Sequence, residues 1–532
     1  MSKILDLKTK YHNYDSRSMN NHQKTDLREA LRAFSVGDLA SVDEHKMYVE
    51  LLKLFRTSLA EDDKLKGDNY PALLESLLSV GEDGVYSTPL RFLFELIQNV
   101  DDCDYADHSC VELDVQTDYN NGKIVLTYNE TGFTPFNVFA ITGIAEAAKN
   151  VSSDKVEIGE KGIGFKSVFG VADKVLIQSG KFSFELYKNN FTIPEPVYEN
   201  FEEVSGTRLT LFVEPMKVKG IYDEFVRKYH NKESLFNQNP LLFLNKLTKL
   251  HLYFDCNRSL TFNVSRSAPL NGSELQIETD VHVSVDLRDY HNQYDKPIIQ
   301  EIECTRYTKQ IIYNRDMCVS RYGAKTAFAE KKMYMQIVFP SVDSLYDENA
   351  IKTGSLYSFL PTQIKVPMPM ACHIPFKLGG SREFVDPQSN NAWFKHSCSS
   401  FATMLKEAYM DFSRKVKENI INYLPYKSKY IFEADVDTIN CLQQSIFKGE
   451  ALFELPIFYT VENNFLPAEK VFMFRSNEDV PQPESTYLLL GETRELFLPD
   501  ARSRNKNPGI STISDVNIRL FCSEVTKSMG YP

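Results

Sequence analysis

Helical hydrophobic spacing dominates the first hundred residues of the chain, after a polar start. Residues 1–45 are polar and mixed in charge, which predicts a loosely ordered segment or an arm. From residue 44 to residue 80, apolar side chains recur three and four positions apart, as on one face of a helix. Residues 89–102 repeat this spacing through Leu93, Ile97 and Val100, which predicts a further helix with one apolar stripe.

Strand-like alternation begins after this helix. Residues 110–116 and 123–128 alternate apolar and polar side chains around an Asn-Asn-Gly turn, which predicts a hairpin. The next predicted elements are a helix at 134–149 and strands at 174–178, 182–187 and 207–213. Because hairpins replace regular βαβ repeats, residues 80–215 predict an α+β sandwich and not a doubly wound fold.

The second half of the chain predicts a β-rich region between helical ones. Its predicted elements are helices at 216–246, strands across 247–340, proline-punctuated loops at 361–375, a long helix at 393–423 and a mixture of helix and short strands at 430–532. The predicted division is an N-terminal arm with helices at 1–74, a sandwich domain at 75–215, a middle domain at 216–400 and a mixed helical region at 401–532.

Composition narrows the class of protein. At about 100–200 residues per domain, 532 residues correspond to roughly three or four domains. Lysine and arginine number 60 against 72 acidic residues, and the net charge of −12 excludes a protein whose whole surface grips nucleic acid. The chain has no apolar run near the length of a membrane span and no apolar signal core at its start, which favours a cytoplasmic location. The nine cysteines include no CxxC pair, so the spacing of a zinc ribbon is absent.

The helix predicted at residues 89–102 also carries a polar face. Glu95, Asn99 and Asp102 are spaced i, i+4 and i+7, so they share one side of the helix. A carboxylate can accept a proton from an attacking water, and an amide oxygen is a hard ligand that suits Mg²⁺. The same spacing occurs on the solvated face of many surface helices, so this segment alone leaves both interpretations open.

Two further segments carry candidate chemistry. Residues 128–133 (Tyr-Asn-Glu-Thr-Gly-Phe) form a polar turn that suits either contact with a base edge or simply the end of a strand. Residues 158–167 place three glycines within a short stretch, so backbone N–H groups can approach an anion closely. Lys161 and Lys166 add positive charge, and a helix starting near Phe165 would add its N-terminal dipole. The spacing of a P-loop is missing.

In order and spacing, these segments resemble the Bergerat-fold (GHKL) ATPases, a group that includes gyrase B, Hsp90, sensor histidine kinases and MutL. The resemblance is greatest to the Hsp90-like regions of the sacsin and NO VEIN type. Residues 94–102 resemble the N-box, 129–133 the adenine-reading box, 158–169 the glycine box of the lid, and 205–209 the Gly-Thr strand. The resemblance covers about residues 75–215 and implies an ATP-binding α/β sandwich, a mixed sheet with helices on one face.

The resemblance implies a role for each matching residue. It implies that Glu95 is the general base, that Asn99 holds Mg²⁺ and that Asp102 supports the site through hydrogen bonds. Thr207 would bind near the adenine through water. The other residues implied to contact or enclose the nucleotide are Asn129, Gly132, Lys149, Gly159, Lys161, Gly162, Ile163, Gly164, Phe165 and Lys166.

One position departs from the family pattern. The family reads the adenine amino group with the Asp of a DxGxG box, whereas this chain has Tyr-Asn-Glu-Thr-Gly at residues 128–132. An Asn oxygen can accept a hydrogen bond from the exocyclic amine, so Asn129 is the candidate, and a shifted alignment places Tyr128 there. This departure puts nucleotide affinity and base selectivity in question.

A segment beyond the sandwich also resembles the sacsin and NO VEIN group, at residues 359–383. In Hsp90 and MutL a middle-domain Arg or Lys reaches the γ-phosphate, and Gln363, Lys365 and Arg382 are the catalytic candidates here. A cation at that place would stabilise charge on the transferred phosphoryl oxygens. The alternative is that these are ordinary loop residues.

Other functional classes are alternatives to an ATPase. A histidine kinase needs an upstream phosphoacceptor His followed by an acidic residue, but Lys46 follows His45. A type II topoisomerase subunit needs a basic DNA track, which the net charge disfavours. A module that binds nucleotide as a structural ligand without hydrolysis stays open, as does a chain that powers a partner effector, for example in a bacterial defence system.

The predicted function is therefore Mg-dependent ATP hydrolysis by an Hsp90-like protein. The expected ligands are ATP and Mg²⁺, and the expected partner is a second copy of the chain or another protein. Nucleotide state would drive lid closure, dimerisation or the action of that partner.

Overall fold

The computed structural model describes fifteen stretches of the chain. They are residues 2–66, 91–106, 111–143, 164–229, 232–255, 258–265, 275–289, 298–324, 328–346, 350–378, 384–386, 391–425, 431–433, 450–472 and 495–496. Helices and one large mixed sheet occur together in these stretches, which confirms the predicted α+β class.

The helices occur at both ends of the described chain and between groups of strands. They are α1 (Lys3–Tyr11), α2 (Asn21–Arg32), α3 (Val42–Lys66), α4 (Arg91–Asp102), α5 (Pro135–Ile141), α6 (Pro215–Lys228), α7 (Lys232–Asn237), α8 (Arg315–Tyr322), α9 (Ala392–Val416) and α10 (Glu450–Phe453). Short 3₁₀ turns span Ser16–Ser18, Val36–Asp38, Gly164–Gly170, Val342–Leu345, Lys417–Tyr423 and Ala468–Lys470.

The strands of the main sheet come from most of the described chain. They are β1 (Glu112–Asp118), β2 (Lys123–Tyr128), β3 (Ala172–Gly180), β4 (Phe182–Tyr187), β5 (Asn190–Pro196), β6 (Val204–Val213), β7 (Lys249–Asp255), β8 (Arg258–Val264), β9 (Gln276–Asp289), β10 (Ile298–Tyr313), β11 (Lys331–Pro340), β12 (Gly354–Ser358), β13 (Leu360–Val366) and β14 (Ala371–His373). Two small ladders pair β15 (Phe458–Tyr459) with β16 (Phe465–Leu466), and β17 (Val471–Phe472) with β18 (Glu495–Leu496).

One sheet of 14 strands runs through both halves of the molecule, in the order β13-β12-β14-β11-β10-β9-β8-β7-β1-β2-β6-β3-β4-β5. Most neighbours are antiparallel, but β1 pairs with β7 in parallel, with Leu113 opposite Leu250. This parallel pair is the junction between the strands that precede residue 215 and those that follow it. The proposed domain boundary at residue 215 stays a prediction.

The N-terminal region is folded and packed. Ile4 of α1 and Leu27 and Leu31 of α2 are fully buried, and the Tyr48 hydroxyl on α3 donates to the Leu31 carbonyl at 3.1 Å. The expectation of loose order over residues 1–45 is therefore wrong. The average polarity of this region concealed two short helices that each bury a few apolar side chains.

Two predicted helices end earlier than expected. The stretch predicted as helical at 216–246 forms α6 and α7, and the backbone turns after Asn237 toward β7. The predicted helix at 393–423 is α-helical to Val416 and continues as a 3₁₀ turn, where Lys417 adopts a φ of +46°. The helix predicted at 134–149 is confirmed to Ile141, and residues 144–149 lie outside the described residues.

Candidate functional site

Helix α4 is buried on nearly all sides. Leu93, Ile97 and Val100 form its apolar stripe, as the spacing predicts, and Glu95 is only 3% exposed. Asn99 and Asp102 are partly exposed. A solvated-face interpretation is therefore excluded for Glu95, because a carboxylate is rarely buried without a structural or chemical reason.

Another side of α4, away from Glu95, binds the loop at residues 245–247. The buried Asp101 carboxylate accepts three backbone N–H bonds, from Asn245 at 2.8 Å and from Lys246 and Leu247 at 2.7 Å each. Lys246 Nζ donates in turn to the Cys103 carbonyl at 2.5 Å. Asp101 lies six positions after Glu95, a net rotation of about 240° around the helix, so the two carboxylates point to different sides.

The turn after β2 lies against the end of α4. Thr131 N donates to the Asp104 carbonyl at 2.9 Å, and Phe133 N donates to Ser179 Oγ on β3 at 2.7 Å. Close backbone contacts require glycine here. Gly206 has a φ of +78°, and a Cβ on it would lie 2.3 Å from the Tyr128 carbonyl oxygen, so a side chain cannot be accommodated.

Thr207 lies inside this region, and its predicted contact near the adenine stays a prediction. It is 1% exposed on β6, opposite Tyr128 of β2, and its hydroxyl hydrogen-bonds Ser179 Oγ. Gly132 has a φ of +92° and packs against the backbone of Gly180. The described residues therefore bring together the turn at 129–133, Thr207 and the end of α4.

Asn129, the candidate for base contact, faces away from this cluster. Its side chain is exposed, and its Oδ1 accepts a hydrogen bond from Glu112 N of β1 at 3.4 Å. Tyr128, the alternative, is buried, and burial holds the pKa of its hydroxyl well above the usual value. A base-reading role for Asn129 stays a prediction that this orientation does not favour.

Glu130 is the residue that the sequence interpretation missed. The residue is 8% exposed, and its carboxyl group lies against the side chains of Thr207, Tyr128 and Cys103, yet its Oε1 atom has no hydrogen-bond partner. Burial raises the pKa of this carboxyl group above its ordinary value. The sequence does contain a signal for Glu130. Alternate side chains of β2 are buried, and the same two-residue alternation beyond Tyr128 predicts that Asn129 points outward and Glu130 inward.

Lys166 does not face an open phosphate site in this structure. Its ammonium group is buried and donates to the carbonyls of Ile141 and Phe191. Burial, with the nearby Arg56 charge, lowers the pKa of Lys166 to about 7. Phe165 is partly buried beside it, and Gly164 begins the same 3₁₀ turn. Nucleotide contacts by these three residues stay predictions.

Several predicted site residues lie outside the described residues. They are Lys149, Gly159, Lys161, Gly162, Ile163 and Arg382. Gln363 and Lys365 are described, on the exposed side of β13 at one end of the sheet. Eight strand spacings, about 38 Å along the sheet, separate β13 from β1. A catalytic role for Gln363 and Lys365 stays a prediction.

The chemistry of the described site suits one divalent ion held largely by a substrate. Within the described stretches, no group of three or more His, Cys, Asp or Glu side chains converges as a metal site. The partly exposed Asn99 amide and the Glu95 carboxylate are hard oxygen donors, and Mg²⁺ commonly takes one or two such groups plus phosphates.

Among the described helices, none is both long and apolar enough to span a bilayer.

Comparison with known proteins finds that about a fifth of this chain is similar to Hsp90-like (GHKL) proteins. No family model matches it. It is 41% identical over 101 residues to Protein NO VEIN of Arabidopsis thaliana, which is 19% of this chain and 4% of that protein. It is 32% identical over 135 residues to the chaperone protein HtpG of Rickettsia canadensis, which is 21% of this chain and 22% of HtpG. The relation therefore extends over about a fifth of the chain, and the chain spans less than a quarter of either relative.

Proposed function

We propose that this chain binds ATP with Mg²⁺ and hydrolyses it. The observation that carries the proposal is the buried Glu95 carboxylate on helix α4, whose other end lies against the turn at residues 129–133. Asn99 links the two, because its carbonyl accepts from the Cys103 thiol at 3.1 Å, and this thiol lies against the Glu130 carboxyl group. The partial similarity to HtpG supports an ATP-binding role of the Hsp90 type.

Three side chains of α4 have a role in the proposed reaction. Glu95 accepts the proton of the attacking water, and its burial keeps bulk water away from that proton transfer. Asn99 holds Mg²⁺, which when bound neutralises charge on the phosphates. Asp102 is partly exposed one turn further along and supports the bound ligands by hydrogen bonds. Gln363, Lys365 and Arg382 remain candidates for a second contact with the phosphates.

The proposal extends to what nucleotide binding does. Closure of the glycine-rich lid, dimerisation or action on a partner protein follows from the nucleotide state. We propose that the cycle of ATP binding and hydrolysis drives a partner effector, for example in a bacterial defence system. The continuous sheet supports this coupling, since β1 beside the site pairs directly with β7 of the following region.

The first experiment measures steady-state Mg-ATP hydrolysis and calorimetric ATP binding for the wild type, Glu95→Ala and the isosteric Glu95→Gln. We expect both variants to bind ATP within about threefold of the wild type and to lose at least about 100-fold in kcat, the usual contribution of a general base. Glu301→Gln, an exposed acid on β10, is the matched control and should hydrolyse ATP like the wild type.

Two other outcomes would redirect the interpretation. If the wild type binds ATP without turnover and Glu95→Gln behaves alike, the chain is a nucleotide-gated scaffold that does not hydrolyse its ligand. If neither the wild type nor the variants bind ATP while all remain folded by circular dichroism, the proposed function is wrong.

A further inference from the structure

A polar cleft of about 500 Å³ opens on the exposed face of the sheet, where β2, β6 and β3 lie side by side. This volume is large enough for a small ligand. One apolar and seven polar residues line the cleft, namely Val204, Thr127, Gln178, Asn200, Glu202, Glu203, Ser205 and Arg208. Within the described part of the chain, none of the seven polar side chains makes a hydrogen bond or an ion pair, so all of them are available to a ligand.

The floor of the cleft is a row of three side chains in register. Arg208 of β6 lies opposite Thr127 of β2 on one side and opposite Gln178 of β3 on the other. Adjacent strands are about 4.8 Å apart, so a hydroxyl group and an amide group flank the guanidinium. An arginine can donate two parallel hydrogen bonds to one carboxylate, and its two neighbours can donate to the same group. The floor therefore suits a carboxylate.

The wall of the cleft is the turn between β5 and β6, which is anchored to β4. Ser183 N of β4 donates to the Tyr198 hydroxyl at 3.2 Å. The rings of Tyr198 and Phe201 pack edge to face with their centres 5.5 Å apart. This anchored turn brings the side chains of Glu202 and Glu203 to the cleft, beside the row on its floor.

The cleft is separate from the candidate nucleotide site. Tyr128, Thr207 and Ser179 lie one position further along or back on the same three strands, and all three are buried. Successive side chains of a strand point to opposite faces of the sheet. The cleft therefore lies behind that buried row and shares no side chain with it.

We propose that this cleft binds a basic α-amino acid, such as lysine or arginine. Two carboxylates and one guanidinium give its described lining a net charge of −1. A basic amino acid has one carboxylate for Arg208 and two cationic groups for Glu202 and Glu203, so it complements all three charges. The inference goes beyond the proposed function and does not depend on nucleotide binding.

Other ligand classes complement the cleft less well. A simple anion would meet two carboxylates, and a diamine would leave Arg208 without a partner. A divalent cation would find only these two carboxylates, and no group of three or more His, Cys, Asp or Glu side chains converges within the described stretches. The combination of one cation and two acids thus favours a ligand that carries both signs of charge.

The test compares each amino acid with the amine that lacks its carboxylate, lysine with cadaverine and arginine with agmatine, by calorimetry on the full chain near pH 7. The net charge of −12 attracts any cation, and this non-specific attraction favours the amines, because they carry the larger positive charge. We expect the opposite order. The tighter of the two amino acids should bind with a Kd of about 1 mM or lower, and its amine at least about fivefold more weakly.

Variants of the lining assign the contacts. Arg208→Gln should remove the preference for the amino acid over its amine, because the carboxylate loses its partner. Glu202→Gln and Glu203→Gln should each weaken binding of the amino acid by about three- to tenfold. Glu199→Gln is the matched control, since this exposed acid belongs to the same turn and lies outside the described lining, and it should bind like the wild type.

Four results would overturn the inference. They are no binding of either amino acid at about 10 mM, amines that bind as tightly as the amino acids, an Arg208→Gln variant that keeps the wild-type preference, and unchanged binding in both glutamate variants. The substituted side chains are exposed, so the variants should fold, which circular dichroism checks. If a variant does not fold, the comparison of amino acid with amine on the wild type still decides. ATP hydrolysis is not part of the readout, so a negative result leaves the proposed function standing.

Discussion

Lys166 and Arg56 place two buried cations at the C-terminal end of α5. Lys166 Nζ donates to the Ile141 carbonyl, and Arg56 donates to the Phe139 carbonyl at 2.7 Å. The last carbonyls of a helix lack partners within the helix and carry its negative dipole end, which explains why cations are tolerated there. The Lys166 ammonium also lies 4.9 Å from the centre of the Phe191 ring. These contacts offset only part of the desolvation cost.

The lowered pKa of Lys166 predicts a pH dependence of stability. Between about pH 7 and the ordinary lysine pKa of about 10.5, the unfolded chain binds a proton at this residue that the folded chain does not. The free energy of unfolding should therefore rise with pH, by up to about 1.4 kcal/mol per pH unit from this residue. Lys166→Met removes the titration, so urea unfolding should show the wild type gaining stability relative to the variant from about pH 7 to about pH 9.

An exposed lysine provides the comparison. Lys395→Met on α9 should leave the pH dependence of the wild type unchanged. A constant difference between the wild type and Lys166→Met across this range would mean that the buried amine keeps its proton.

At the scale of the element, α4 joins two parts of the structure that are distant in sequence. One side of this helix carries Glu95, and another carries Asp101, which binds the backbone of residues 245–247. The same loop also contacts a strand that follows β7, because Arg306 of β10 donates to the Leu242 carbonyl at 3.3 Å. The rings of Phe243 and Tyr357 of β12 pack 4.7 Å apart. Any shift of α4 would therefore be passed to this loop through hydrogen bonds.

Asp101→Asn tests this connection. An Asn side chain has one accepting oxygen, and its amide nitrogen would face a backbone N–H that Asp101 now binds. We expect a loss of about 2–4 kcal/mol in the free energy of unfolding, measured in urea, because charge-assisted bonds in a buried site are lost. Asp104→Asn, at an exposed position just beyond the same helix, should cost much less. Equal losses in the two variants would contradict a specific role for the Asp101 contacts.

At the scale of the whole molecule, the parallel β1–β7 pair makes the two halves one sheet. Leu113 and Leu250 face each other across this pair, and both are fully buried. Far along the sheet, Trp393 stacks on Tyr313 of β10 with ring centres 3.5 Å apart and donates to the Pro375 carbonyl at 2.8 Å. We call the half of the sheet from β7 to β14 the distal half. Because Trp393 is the only tryptophan of the chain, its fluorescence reports on the distal half alone.

The loss of stability caused by Leu250→Ala should therefore be detected at Trp393, far along the sheet. Removing this buried side chain is expected to cost about 2–5 kcal/mol, and a continuous sheet should pass that loss to the distal half. Urea unfolding followed by Trp393 fluorescence and by far-UV circular dichroism should shift together. Ile299→Ala, at an exposed position on β10, should shift neither. A fluorescence transition that stays in place while the dichroism transition moves would mean that the halves unfold separately.

Local patterns predicted more of the fold than of the site. The hairpin β1–β2 and helix α4 follow from apolar periodicity, because each buries one regular set of side chains. The parallel pairing of β1 with β7 could not be predicted this way, since it joins residues more than 130 positions apart through contacts that leave no local spacing. Glu130 was missed because the resemblance directed attention to Asn129, although the strand alternation pointed to its neighbour. Asp101 was missed because its partners are backbone N–H groups.

The contacts of the loop between α7 and β7 also limit how this chain can vary in length. Asp101 binds residues 245–247, and Arg306 binds the carbonyl of Leu242, so the segment is fixed at two points only three residues apart. A single inserted or deleted residue between these points would break one set of contacts or the other. Related chains that keep both contacts should therefore share the length of this segment.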